Sequence, residues 1–181
     1  VADSTGQLIT ASESTKKASD VTNSTWYKEG LTRVNMAAGS AYQNADGVNV
    51  ISASGILNDG SDKVRVISAD MTLDRIAIIV NSFIEMNDAE AFLVDKTSGV
   101  ILANRDSSLI SQTLGAEGQS HFYQLTAEKA AEKDYNFATL DGNMTVFQEV
   151  DGTNWLLISY IPTSIVLSDL TQLRNIMIVI S

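Results

Sequence analysis

The sequence predicts an α+β fold of two stacked lobes, each an antiparallel sheet with flanking helices. Two Asp-Gly turns, Asp141-Gly142 and Asp151-Gly152, separate runs rich in β-branched and aromatic residues in the second half, and that pattern marks antiparallel strands joined as a meander. An amphipathic segment ending at Lys133 precedes these strands and follows an earlier hairpin. The first half carries the same kinds of element with longer loops, and 44% hydrophobic content over 181 residues is enough for one or two modest cores.

Taken in order, Gln7 to Ala11 reads as a strand, and Trp26-Tyr27 stands at a helix start. Val48 to Ile56 and Lys63 to Met71 read as strands separated by the turn Asn58-Asp59-Gly60-Ser61-Asp62. Thr72 is suited to cap a following helix on which Leu73, Ile76, Ala77, Ile79 and Val80 place apolar side chains, and this helix would connect the lobes. Ala91 to Val94 and Val100 to Ala103 form a hairpin through Lys96-Thr97-Ser98-Gly99. Phe122, Leu125, Ala130 and Ala131, alternating with Glu128, Lys129, Glu132 and Lys133, read as a helix crossing one sheet face. Tyr135 to Leu140, Met144 to Val150 and Trp155 to Ile161 complete a five-stranded sheet. A helix inserted after the second strand of such a sheet is a PAS-like arrangement. Pro162, the only proline, ends the last strand and opens an exit helix. The lobes are expected at 1–84 and 85–162, with the exit helix at 163–181.

Composition excludes several functions. A formal charge of -10, from 22 acidic and 12 basic residues, repels phosphate backbones and argues against a nucleic-acid partner. The chain has no cysteine, so it has neither a disulfide framework nor a thiolate metal site. His121 is the only histidine, and it stands beside Phe122-Tyr123 as a surface or packing residue rather than a zinc ligand or a catalytic base. Phosphate loops, nucleophile elbows and dinucleotide fingerprints are absent from the sequence. Asp70 and Asp74 are a turn apart at best, and Asn58 to Asp62 lacks the distal glutamate of a calcium loop. No enzymatic role, metal or cofactor is expected. Ile176-Met177-Ile178-Val179-Ile180 reads either as the first turns of a membrane span or as a short apolar terminal element packed on the body.

The segments Val1 to Ile9, Trp26-Tyr27-Lys28-Glu29-Gly30, Tyr42-Gln43-Asn44, Ile67 to Asp74, Ala91 to Asp95 and Gly99 to Ala103 follow one another in an order and spacing that resembles double Cache domains. These are extracytoplasmic sensor modules of bacterial chemoreceptors, histidine kinases and diguanylate cyclases. The resemblance implies a membrane-distal first lobe that binds ligand, a proximal second lobe that transmits, and a transmembrane helix continuing from the last sensor helix. The family's long N-terminal helix, which carries much of its dimer contact, is expected to be missing from this chain, so a homodimer is left open.

The resemblance also implies the site residues. Trp26, Tyr27 and Tyr42 would form aromatic walls, with Asp70 and Asn44 fixing the polar edge of a ligand. In the amino-acid-binding subgroup an arginine two residues before the tryptophan pairs with the ligand carboxylate, and here that position is Ser24. A hydroxyl supplies neither the charge nor the fork of a guanidinium, so ordinary amino acids are not expected. Asn44 likewise stands where the subgroup has an acid. The remaining groups suit a flat, nitrogen-rich ligand without a carboxylate. A pyrimidine or purine base is favoured and an amine comes next. Alternatives are a small carboxylate, or a ligandless module that docks a periplasmic binding protein.

Overall fold

The structure, a computed structural model, describes residues 1–11, 20–60, 62–82 and 88–168. The chain divides into two compact units, the first of Val1–Ile76 with Asp151–Thr153 and the second of Ala77–Val150 with the chain from Asn154 onward. The sequence-derived boundary at residue 84 and the turn residue Ser61 lie outside the described residues.

The first unit is built on a four-stranded antiparallel sheet of β1 (Ala2–Asp3), β2 (Ala37–Gln43), β3 (Asn49–Leu57) and β4 (Arg65–Thr72), in the order β1-β4-β3-β2. The expected strand from Gln7 to Ala11 does not form. Only Leu8 makes an isolated bridge, to Ala2. The Asp3 carboxylate accepts from the Thr5 amide and hydroxyl at 2.9 and 2.6 Å and from the Gln7 amide at 3.0 Å, closing a tight turn that returns Gln7 to Ile9 beside Val1 to Asp3. β2 was not anticipated, because Ala-Ala-Gly-Ser-Ala is a poor strand former in isolation. It forms as a sheet edge through its pairing with β3, with an irregular register between Ala38 and Ala41.

A short helix, α1 (Thr25–Gly30), packs on this sheet. Its tightest point is Gly30, where an added Cβ would strike the Val66 side chain and lie 3.2 Å from Ser54 Cβ and 3.3 Å from the Gly55 amide. Val66, with no exposed surface, forms a small core with Ala2, Val21 and Tyr27, and Leu8 and Trp26 pack on it. Each full burial of such a side chain stabilises by about 1.5–3 kcal/mol. α2 (Leu73–Ser82) begins as β4 ends, and Thr72 Oγ1 accepts from the Arg75 amide at 3.3 Å, the N-cap role its sequence position suggested.

The second unit contains the five-stranded antiparallel sheet in the order β6-β5-β9-β8-β7: β5 (Glu90–Asp95), β6 (Ile101–Ala103), β7 (Ala138–Leu140), β8 (Asn143–Val150) and β9 (Trp155–Pro162). Leu140 pairs with Asn143 across a two-residue turn, and Asp141 and Gly142 sit at φ of 46° and 76°. That left-handed pair gives the twist a hairpin needs. The amphipathic helix forms as α3 (His121–Ala131). Phe122 joins Phe92, Val94, Ile101, Phe147, Leu156 and Ile158 in the core of this unit. β9 ends at Pro162 and residues 163–168 are helical. The rest of the expected exit helix, including Ile176 to Ile180, lies outside the described residues. Among the described residues, no helix is long and apolar enough to cross a membrane.

Candidate functional site

The first unit contains an open cleft of about 1260 Å³. Its floor is set by strand register. Ser52 on β3 lies directly opposite Asp70 on β4, while Tyr42 on β2 pairs with Val50, two residues from Ser52 on the same strand. Side chains two apart on a strand share a face, so Tyr42, Ser52 and Asp70 converge on one side of the sheet. α1 covers the neighbouring part of that face at Ser54 and Val66, and its first turn brings Trp26 to the cleft wall.

Five of the six sequence-derived residues line the cleft: Ser24, Trp26, Tyr42, Asn44 and Asp70. Tyr27 does not. Its ring is 3% exposed and packed among Ala2, Val21 and Val66, because successive residues of a helix point in different directions and Trp26 takes the cleft side. The two rings meet edge to face at 5.8 Å and 81°, so Tyr27 supports the wall without forming it. Burial, then the nearby Asp3 carboxylate, raises the Tyr27 phenol above its usual value.

The hydrogen bonds give each lining group a direction. Ser52 Oγ donates to Asp70 Oδ1 at 2.6 Å, and Ser52 Oγ and the Tyr42 hydroxyl are also 2.6 Å apart. Ser68 Oγ stands at the outer limit of bonding distance, 3.5 Å, from the same Asp70 oxygen. Ser24 Oγ donates to the Val21 carbonyl at 2.5 Å, which leaves its lone pairs as what it can offer. Asn44 Oδ1 accepts from the amides of Asp46 and Val48, both at 3.0 Å, so its side chain ties the β2–β3 turn and retains its NH₂ for another partner. Burial, with the Asp70 and Glu29 charges adding to it, pushes the Tyr42 phenol up to about 12.

Sequence reasoning missed Ser52, which is 1% exposed, and Asp20 and Asp46, which also line the cleft. The signal for Ser52 was present in Val50-Ile51-Ser52-Ala53-Ser54, where small hydroxyls recur every second residue inside an otherwise apolar strand. Asp20 accepts from the Thr22 hydroxyl at 2.7 Å and from Asn23 Nδ2 at 2.5 Å, and these bonds hold its carboxyl below the usual range. The cleft has no lysine or arginine among its described lining residues. Among the described residues, no cluster of three or more histidine, aspartate or glutamate side chains could hold a metal ion.

No family model matches the chain, and no curated protein matches it in sequence. Solved structures do match. The ligand-binding domain of the Pseudomonas fluorescens chemoreceptor CtaA, in complex with L-isoleucine, superposes with a TM-score of 0.67 at 20% identity, over 92% of this chain and 69% of that one. The double Cache fold is the fold of this chain. The ligand-binding domain of the Pseudomonas aeruginosa amino-acid chemoreceptor PctB, in complex with L-Arg, gives 0.67 at 19% identity, over 96% of this chain and 69% of that one. The extracellular domain of the histidine kinase mmHK1S-Z3 gives 0.62 at 15% identity, over 83% of this chain and 58% of that one. The described residues lining the cleft all belong to the first unit.

Proposed function

We propose that this chain is the extracytoplasmic small-molecule sensing domain of a transmembrane signal-transduction receptor, and that it binds a small nitrogen-rich ligand without a carboxylate in the cleft of the first unit. The likeness to chemoreceptor and histidine-kinase sensor domains supports the sensing role. The single observation that carries the ligand class is the described lining of the cleft, where the carboxylates of Asp20 and Asp70 stand with Ser24 at the wall. A ligand carboxylate would meet like charge there and would have no guanidinium to pair with, Ser24 occupying that position. The amino acids named with CtaA and PctB are therefore not the ligands proposed for this chain.

A pyrimidine or purine base is the favoured ligand. Its N–H edge would meet Asp70, a ring acceptor would meet the Asn44 NH₂, and its face would lie on Trp26. The acidic lining specifically favours a second reading, a protonated amine. The deciding experiment is a thermal-shift screen of nucleobases, amines, amino acids and short carboxylates, followed by calorimetry on wild type and Asp70→Ala. A nucleobase or amine should raise the wild-type Tm, and Asp70→Ala should abolish that rise in addition to lowering the unliganded Tm modestly, because it strands the buried Ser52 hydroxyl. Tight binding of a simple amino acid, or unaltered affinity in Asp70→Ala, overturns the proposal.

A further inference from the structure

We infer that Ser52 is a positioning and specificity-determining residue that sets the hydrogen-bond sense of the cleft, orienting Tyr42 and Asp70 so that both present acceptors, and so selecting ligands by their N–H donors. The inference rests on the reading that this cleft is the ligand site.

The argument is one of proton counting. A serine hydroxyl has one proton, and a carboxylate has none to give. Ser52 Oγ lies 2.6 Å from Asp70 Oδ1, so the serine proton points to Asp70. Ser52 then has only lone pairs for its other neighbour, and the Tyr42 hydroxyl at 2.6 Å must be the donor of that bond. The relay runs one way, from Tyr42 through Ser52 to Asp70.

Two consequences reach the ligand. The phenol of Tyr42 has no proton left for a ligand carbonyl and offers only its oxygen. Asp70, with Oδ1 held by Ser52, offers Oδ2, also an acceptor. Ser24 behaves the same way, since its proton goes to the Val21 carbonyl. Asn44, with Oδ1 occupied by two turn amides, is the donor among these four side chains. These four side chains therefore favour a ligand whose N–H groups meet Tyr42, Asp70 and Ser24, with an acceptor placed for the Asn44 NH₂. Ser52 itself is 1% exposed and stays behind its partners, so it acts through them.

The relay is tested first without any ligand, by proton NMR. The wild type should show a slowly exchanging Tyr42 hydroxyl resonance with a nuclear Overhauser contact to the Ser52 β protons. Ser52→Ala should abolish it and Ser52→Thr, which keeps the hydroxyl, should restore it. A Tyr42 hydroxyl proton that exchanges freely in the wild type, or that survives in Ser52→Ala, overturns the inference. The second arm titrates adenine, cytosine, uracil and a primary alkylammonium into both proteins. Ser52→Ala should weaken the alkylammonium, which presents three N–H groups and no acceptor, about tenfold and narrow or reverse its advantage over uracil, because the freed Tyr42 proton can now meet a carbonyl. An equal loss for every probe, the mark of a merely structural serine, overturns it too. If no probe binds even the wild type, the proposed function falls while the NMR result still decides the relay.

Discussion

At Asp70 the two carboxylate oxygens face different tasks, one held at 2.6 Å by a serine of the sheet and the other left toward the cleft. Tyr42 is similarly divided, its ring forming wall and its hydroxyl feeding the sheet network. Tyr42→Phe keeps the wall and removes the proton donor to Ser52. It should cost about 0.5–1.5 kcal/mol in urea unfolding, the net worth of one hydrogen bond, while leaving the secondary structure by circular dichroism unaltered. At Asn44 the turn contribution can be separated from any ligand contact. Asn44→Ala frees two amides and should destabilise by about 1 kcal/mol, whereas Asn44→Asp keeps the acceptor and should recover most of that loss in the same measurement. The aromatic, acid and amide positions were visible in the chain through its resemblance to double Cache domains. The direction of each bond was not, because a sequence shows which groups can donate but only register shows which partner takes the proton.

Among the elements, the second unit was the easier to read. Its strands are rich in β-branched and aromatic residues and its turns carry Asp-Gly, so local preference and tertiary pairing agree. In the first unit they disagree at both ends of the sheet. β2 is an alanine-rich strand held by β3, and the segment after β1 is turned back beside it by the Asp3 carboxylate, with a single bridge at Leu8. The close seat of α1 is equally invisible in a helix pattern, because Gly30 looks like an ordinary terminator until Val66 is found beneath it. Gly30→Ala should therefore destabilise by about 1–3 kcal/mol through overpacking, despite alanine's better helix propensity. Chemical denaturation should show that loss, and added Val66→Ala should relieve part of it. The β5–β6 turn gives a parallel case in the second unit. Asp95, 5% exposed, accepts from the amides of Thr97 and Ser98 at 3.0 and 2.8 Å and from the Ser98 hydroxyl at 3.0 Å. Asp95→Ala should cost about 1–3 kcal/mol by the same assay, because it strands these donors.

For the molecule as a whole, titration behaviour follows from where the carboxyls and phenols sit. Asp3 is held below the usual 3.8 chiefly by the Thr5 hydroxyl, Asp106 by the Ser108 hydroxyl and Asp134 by the Lys129 ammonium. A depressed folded value means the stability from these groups is present above the unfolded value and is lost as pH falls through the folded one. Tyr42, raised to about 12, works in the opposite sense: its contribution is present below 10.0 and is lost as pH climbs through the folded value. The Tm should be highest at about pH 5 to 8 and fall at both extremes. Asp3→Asn and Asp134→Asn should each flatten the acid limb in a calorimetric pH series, and an unchanged limb in both would sink this account. The chain has only two tryptophans, Trp26 on the cleft wall of one unit and Trp155 at the start of β9 in the other. The protein thus has a native optical probe in each half, and a Trp155→Phe protein would report occupancy of the first unit by its intrinsic fluorescence alone, with no dye attached.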